Sequence, residues 1–474
     1  SLVKMIVNVI EPTHGTLLDP ACGSGGMFVS SSDFVSAEGI NANSSMTFYG
    51  QEKVEFNAKL CIMNMAVHGL NAKIISGDEA NSFYHDAHNL DGSCDYVMAN
   101  PPFNVDKVKA ESTRNAGRLP FGLPGVNPKK EISNANYLWI SYFYSYLNDT
   151  GRAGFVMPAS ATDSGNRDRE IRKQLIQTGD VDCMISVANN FFYKVTLPCS
   201  LWFFDKGKKE ELKDKVLFID SRNYYTVVDR TLNEWSEWQM KNLNAIVWLH
   251  RGEIDKYKKL LRDYSSQIIN DCKELDAEFE SLSVFLNGFN DKLAPLRTQI
   301  SDIVKTAGDV NQLLPLNELL KRYITELNAS VKAFIEYGAG LEKVEANKFA
   351  KSFEESAVTW DRFKKSISVR IEETVSQIKA CRAVIKQVKW LTDKFGEGSY
   401  VDVSGLCKVA TIDEMEEKNW SLTPGAYVGI TPLEATDENF EDRMIEIKKE
   451  LLSLQAEANQ LIDIIASNFE EMGI

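Results

Sequence analysis

From roughly Thr13 to Asp220 short apolar runs alternate with stretches of helical periodicity, and this alternation constrains the fold more than any other feature of the chain. The runs Thr16–Asp19, Met46–Gln51, Lys73–Ser76, Asp95–Ala99, Gly154–Met157, Val181–Val187, Ser200–Phe204 and Val216–Ile219 read as strands. Several are continuous apolar segments rather than alternating ones, the pattern of strands buried on both faces. Strand, helix, strand repeated in this way predicts an open α/β sheet. Such a sheet takes its ligand beyond the carboxyl ends of the strands, near the point where strand order reverses.

The first strand runs into Asp19-Pro20-Ala21-Cys22-Gly23-Ser24-Gly25-Gly26. Glycines after a strand permit a tight turn in which backbone N–H groups approach a ligand closely, because no Cβ stands in the way. G-x-G-G is neither the nicotinamide fingerprint nor a P-loop, and a sharp turn alone also accounts for it. The second strand ends in Tyr49-Gly50-Gln51-Glu52, an acid suited to ribose hydroxyls, and the third in Ser76-Gly77-Asp78, an acid suited to an adenine amino group. Acids after three successive strands point to a nucleoside-bearing ligand. The fourth strand enters Asn100-Pro101-Pro102-Phe103, a stiff corner whose prolines fix φ and give up their N–H groups, leaving carbonyls free to accept.

LLDPACGSGGMF followed by YGQE, SGD and NPPF resembles the amino-group DNA methyltransferases, and is most similar to the modification (M) subunit of type I restriction-modification systems. The likeness covers most of residues 1–250, including GRAGFVMP at Gly151–Pro158 and SVANNFFYKVTLPCSLWFFDK at Ser186–Lys206, and returns at Trp420–Gly429. It implies a Rossmann-like methyltransferase sheet, S-adenosylmethionine as cofactor and adenine N6 in double-stranded DNA as acceptor. On this resemblance the cofactor is held by Asp19, Ala21, Gly23, Ser24, Gly25, Gly26, Phe28, Glu52, Asp78 and Asn100, and catalysis falls to Asn100, Pro101, Pro102 and Phe103. The adenine amine is a poor nucleophile because its lone pair is delocalised. If the Asn100 carboxamide oxygen and the Pro101 carbonyl accept its two hydrogens, the nitrogen is drawn toward tetrahedral geometry and needs no general base first. A base in a duplex must be flipped out, and Phe103 is the first candidate to stack on it, with Phe192 second by its place in the family pattern. One of the aromatics at 191–193 is expected to face the pocket, the others to fill core.

After about Arg251 the strands give out and the sequence is almost wholly helical to about Lys394. Ile254, Tyr257, Leu261, Tyr264 and Ile268 share one expected face, as do Ile371, Val375, Ile378, Cys381, Ile385 and Val388, with Pro295, Pro315 and Gly338–Gly340 as punctuation. The last segment repeats apolar residues at Phe440, Met444, Ile447, Leu451, Leu454, Ala458, Leu461 and Ile465, a heptad seam that needs a partner helix in this chain or in another subunit. The expected domains are therefore a catalytic domain over 1–230, a long-helix bundle or arm over 231–400, and a C-terminal segment over 401–474 for subunit contact. Helical periodicity begins at Ser1 (SLVKMIVNVI), so further sequence is expected upstream. The family carries a helical domain and an aromatic-Thr-Pro block there.

A formal net charge of −14 has the wrong sign for gripping DNA unaided. Residues 411–474 hold 15 acids against 4 bases, so the acidity is concentrated in the tail. Lys107, Lys109, Arg114, Arg118, Lys129 and Lys130 after NPPF, with Arg167, Arg169, Arg172 and Lys173 further on, are either a DNA-facing surface or a solvated one. Nothing reads as a domain long enough to read bases in a groove, nor as a nuclease or Walker motif. The resemblance thus implies a specificity (S) subunit, a second copy of the modification subunit and a restriction (R) subunit as partners. The 8 scattered cysteines form no C-x-x-C pair, and His85 with His88 lacks further ligands, so no metal site is expected. No apolar run is long enough to span a bilayer and no signal peptide is evident, so a cytoplasmic protein without membrane association is expected. Two rival readings remain: a protein glutamine N-methyltransferase, whose amide nitrogen poses the same lone-pair problem, and a catalytically inactive assembly subunit.

Overall fold

The computed structural model describes residues 1–192, 196–353 and 359–430, together with individual helical residues between 444 and 462. The chain separates into two compact units, Ser1–Gly429 and Ile430–Ile474.

The first unit is built on strands β1 (Gly15–Asp19), β2 (Met46–Glu52), β3 (Ala72–Ser76) and β4 (Cys94–Ala99), a ribbon of β5 (Val108–Lys109) and β6 (Glu131–Ile132), then β7 (Leu147–Pro158), β8 (Val181–Val187), β9 (Cys199–Asp205) and β10 (Lys215–Asp220), a second ribbon of β11 (Thr226–Asp229) and β12 (Leu232–Glu234), and finally β13 (Cys407–Thr411). Nine of these form one sheet in the order β13-β10-β8-β9-β7-β4-β1-β2-β3. β9 pairs antiparallel with β7 and β8, and β13 antiparallel with β10. The remaining neighbours are parallel. All eight strands expected from the sequence are present. β8 and β9 are buried at every residue, as their unbroken apolar runs require.

Order reverses at β1, which lies between β4 and β2, so the crevice beyond the carboxyl ends of β1 and β4 is where a ligand belongs. The helix Leu2–Ile10 covers one face of the sheet with its Met5, Ile6, Val9 and Ile10, and the helix Asn136–Ser145 covers the other.

The helices Ile254–Leu286 and Trp360–Phe395 are the long members of the arm, joined by Leu293–Thr306, Leu316–Gly340 and Lys343–Phe353. The buried stripe of the first is Tyr257, Leu260, Tyr264 and Ile268, displaced from the expected face: Ile254 is exposed and Leu260 replaces Leu261. In the second, Thr374 takes the buried position expected of Val375.

The segment from 401 is not a separate C-terminal element throughout. β13 completes the sheet, and Trp420 to Val428 pack on its face, with Tyr427 stacked on Phe218 at 4.0 Å and Leu422 N–H donating to the Thr162 carbonyl at 2.8 Å. The first compact unit thus runs to Gly429. Of the heptad seam, Met444, Leu451 and Ala458 are helical and exposed, and its other positions lie outside the described residues. Among the described residues no helix is long and apolar enough to cross a membrane.

Candidate active site

Beyond β1 the chain turns through Pro20–Gly25 into the helix Gly26–Ala37. Asp19 is 2% exposed, and its Oδ1 accepts from Ala21 N–H at 3.0 Å, so the acid pins the turn from beneath. Burial, reinforced by the nearby Glu52 and opposed by the Ala21 N–H, pushes its carboxyl up to about 8. Gly25 adopts φ +82° as the residue before the helix, and a Cβ there would lie 2.8 Å from Cys61 Sγ and 2.8 Å from Met65 Cε. Glycine is thus demanded twice, by backbone conformation and by packing. At Gly23 a Cβ would meet no atom within 4 Å: the turn faces open space there. The helix behind this turn directs its free N–H groups and the positive end of its dipole outward, a setting for an anionic group.

The carboxylate of Glu52, ending β2, accepts from Gly23 N–H at 3.0 Å and from Val54 N–H at 2.8 Å, tying the two strand ends together. Gln51 is fully buried and donates to Ser82 Oγ at 3.0 Å and to the His85 carbonyl at 3.1 Å. Ser82 in turn donates to the Pro20 carbonyl. One buried network therefore fixes the ends of β1 and β2 and the segment after β3.

These ends enclose a cavity of about 490 Å³. Its wall takes Ala21 and Gly23 from the β1 turn, Glu52 from β2, the run Ala80–Tyr84 after β3, Asn100 and Pro102 after β4, Lys107 from the following loop, and Trp139. Asn100 is exposed, and neither its side chain nor the Pro101 carbonyl has a hydrogen-bond partner among the described residues. Trp139 is 4% exposed, and its Nε1 also lacks a partner. It packs on Phe83 with ring centroids 4.5 Å apart. A concave site with an aromatic wall, a glycine turn and unpaired donors and acceptors has the chemistry that a nucleoside-bearing cofactor requires.

The site residues expected from the sequence divide into those at the cavity and those behind it. Ala21, Gly23, Glu52, Asn100 and Pro102 line it; Asp19 lies beneath it. Ser24 is exposed, and its carbonyl accepts from Asn64 at 2.9 Å. Gly26 opens the helix. Phe28, in the first turn of that helix, is fully buried against Phe48 at 5.6 Å, so its side chain belongs to the core. Asp78 is exposed in a single 3₁₀ turn and is not part of the wall; Asn81, one residue past that turn, is. Phe103 is half-buried outside the wall and meets Phe192 edge-on at 6.2 Å. Phe191 is core, 4.7 Å from Trp235, and residue 193 lies outside the described residues. Phe83, Tyr84 and Trp139 were not singled out by sequence, since aromatics in mostly apolar surroundings read as core.

The basic surface also needs correction. Lys107, Lys109, Arg114, Lys129 and Lys130 are exposed, but Arg118 is 7% exposed, donates to the Ser82 carbonyl at 3.1 Å and Tyr146 Oη at 2.8 Å, and lies over the Tyr142 ring. Arg172 is 1% exposed and donates to the Trp420 carbonyl at 2.5 Å and Tyr137 Oη at 2.8 Å, holding the late segment onto the sheet. Both are internal struts.

The model of the N-6 DNA Methylase family matches residues 1–271, which holds the whole crevice. The chain belongs to this family. Among curated relatives, the chain is 39% identical over 244 residues to the type I restriction enzyme MjaIX methylase subunit of Methanocaldococcus jannaschii, covering 51% of this chain and 43% of that protein. It is 35% identical over 237 residues to the HindI methylase subunit of Haemophilus influenzae, covering 50% of this chain and 51% of that one. The chain thus spans about half the length of the curated relatives it matches. A solved type I restriction-modification methyltransferase subunit from Streptococcus thermophilus aligns over 52% of this chain and 51% of its own length, at 22% identity and a TM-score of 0.45.

Proposed function

We propose that this chain is the methylation subunit of a type I restriction-modification complex, transferring a methyl group from S-adenosylmethionine to N6 of a flipped adenine in double-stranded DNA. One observation carries the reading: the glycine turn after β1 and the Asn100 corner after β4 open onto a single cavity, and the corner's acceptors are unpaired.

The open face at Gly23 admits the cofactor against backbone, Glu52 is at hand for ribose hydroxyls, and Phe83 with Trp139 offers an aromatic wall to its purine. When bound there, S-adenosylmethionine would supply a sulfonium methyl group, the C–S bond breaking as the N–C bond to the adenine amine forms. Asn100 Oδ1 and the Pro101 carbonyl accept the two N6 hydrogens of the target adenine and aim its lone pair into the cavity. Pro101 and Pro102 keep the acceptors from rotating away. The proton left surplus on N6 after transfer passes to water at the exposed corner. Phe103 and Phe192, paired outside the cofactor wall, form the stacking surface that offsets the cost of extrusion by about 1–3 kcal/mol per base.

Net charge of −14 leaves DNA attraction to the exposed lysines near the corner and to partner subunits. The partners on this reading are a specificity subunit, a second copy of this chain and a restriction subunit.

The test is methyl transfer from labelled cofactor to duplex DNA by the protein assembled with its specificity subunit. Asn100→Ala is expected to lower turnover at saturating cofactor by at least about 10²–10³-fold, with the melting temperature kept. Turnover within a few-fold of the parent removes Asn100 from the chemistry.

A further inference from the structure

The corner that presents Asn100 is held on its far side by three asparagines that the reaction does not use. Asn104 follows Phe103 directly and adopts φ +55°, a left-handed conformation that asparagine tolerates better than most residues. Its backbone N–H donates to Asn136 Oδ1 at 2.9 Å, and its side-chain oxygen accepts from both Asn136 Nδ2 at 2.9 Å and Asn134 Nδ2 at 3.0 Å. Asn134 Oδ1 accepts from Asn136 N–H at 2.9 Å, and Ala135 N–H donates to the Val105 carbonyl at 2.9 Å.

Asn136 is 4% exposed, at the start of a helix whose next residues Tyr137, Leu138 and Trp139 are buried in the core. A buried carboxamide must have partners for both its oxygen and its nitrogen, and here Asn104 supplies both. Asn104 is thus tied to a rigid element, and one turn further along that helix Trp139 lines the cavity. Proline stiffness governs the corner from Pro101 and Pro102; the asparagines fix the direction in which the chain leaves it.

We propose that Asn104, Asn134 and Asn136 form a positioning clamp that holds Asn100 and Phe103 in register with the cavity. The proposal rests on the methyltransferase reading for its rate consequence, and on geometry alone for its rigidity. None of the three touches substrate or cofactor, so they are positioning residues.

Asn104→Gly keeps the left-handed backbone while deleting the acceptor, and Asn104→Asp keeps both the conformational tolerance and the acceptor oxygens. In the assembled complex, Asn104→Gly is expected to lower kcat by about 10–100-fold while the KM values for cofactor and DNA stay within about threefold, because misplacement alone suffices for such a loss. Asn104→Asp is expected to restore kcat to within about threefold of the parent, and Asn136→Ala to behave like Asn104→Gly. Amide hydrogen exchange at Phe103–Val105 is expected to quicken about tenfold in Asn104→Gly and Asn136→Ala but not in Asn104→Asp. Turnover in Asn104→Gly within twofold of the parent overturns the clamp. So does joint loss of kcat, affinity and melting temperature, which marks a general structural role. If the parent itself transfers no methyl group to adenine, the preceding functional reading falls. The exchange rates then decide the clamp on their own: equal protection in parent and Asn104→Gly ends it.

Discussion

The crevice at β1 and β4 and the helical arm over 254–395 treat their polar groups in opposite ways. In the arm the polar side chains close on one another: Arg370 with Glu278 at 2.6 Å, Arg297 with Asp276 at 2.7 Å, Asn290 with Glu326 at 2.9 Å. Among the described residues, no buried side-chain nitrogen or oxygen within 254–395 lacks a partner; those that do, Trp139 Nε1 among them, lie in the sheet half and its covering helices. The arm is complete in itself. The crevice leaves the Pro101 carbonyl and Trp139 Nε1 without a partner among the described residues, and turns the Asn100 carboxamide to solvent. Unpaired buried polar atoms also occur away from the crevice, at Arg118, Ser141, Asn244 and His250, so what sets the crevice apart is that Trp139 Nε1 and the Asn100 corner meet at one cavity.

The sharpest way to break the contrast is to damage the arm alone. Phe334 is fully buried among Phe285, Phe289, Phe349 and Trp360, with ring centroids at 5.2–5.9 Å from its own or from one another. Phe334→Ala is expected to cost about 3–5 kcal/mol in urea unfolding through the cavity it leaves. Cofactor affinity measured well below the melting temperature is expected to stay within about twofold, since the arm supplies no group to the crevice. A tenfold fall in affinity under those conditions would show the two regions to be coupled.

The next effect comes from the crevice side. Gly25→Val places a β-branched residue at φ +82° and drives its Cβ toward Cys61 and Met65. Left-handed strain and overpacking together are expected to cost about 2–4 kcal/mol, seen as a lowered melting temperature. Here affinity and stability are expected to fall together, unlike in Phe334→Ala. Unaltered cofactor binding in a destabilised Gly25→Val protein would detach the glycine turn from the ligand.

These contrasts also explain what the sequence could and could not disclose. Strands such as Val181–Val187 were legible because burial on both faces forces an unbroken apolar run. β13 (CKVAT) was not, being five residues long, placed after the whole arm and paired with β10 at long range. The Gly23 turn and Asn100 were legible because the glycine cluster and the N-P-P-aromatic corner each follow a strand of one alternating pattern and together resemble the motifs of one family. Trp139 was not: NYLWISYFYS is apolar nearly all round, and periodicity cannot say which side of a fully covered helix meets a cavity. Arg118 and Arg172 read as surface bases because charge in a sequence carries no mark of burial, and their carbonyl and tyrosine partners come from distant segments. The asparagine clamp was hidden for the same reason, its halves separated by about thirty residues that include the β5–β6 ribbon.

The smallest effect concerns pH and sets the two regions apart without disturbing packing. Asp19 is buried, and its carboxyl, raised from 3.8 to about 8 by burial first and Glu52 second, stays protonated in the folded protein at pH values where the unfolded chain has lost the proton. The folded state therefore binds more protons than the unfolded state between about pH 4 and pH 8, and this group's contribution to stability falls as pH rises through that window. Asp19→Asn keeps an oxygen for the Ala21 N–H and removes the titration. Below about pH 4 the two proteins are expected to be equally stable, and by pH 8 Asp19→Asn to be more stable by at least about 1–2 kcal/mol, read from urea midpoints at several pH values. His250, which burial holds down at about 4, titrates in the same range with the opposite sign, but it is common to both proteins and cancels in the difference. The Asp182 carboxyl, buried but held down at about 2 by Arg251, is likewise shared and stays ionised throughout. A pH-dependent gap localises strain to the floor of the glycine turn, where a bound ligand can relieve it. Parallel stability curves would mean that Asp19 is ionised in the fold, and that the crevice floor is as settled as the arm.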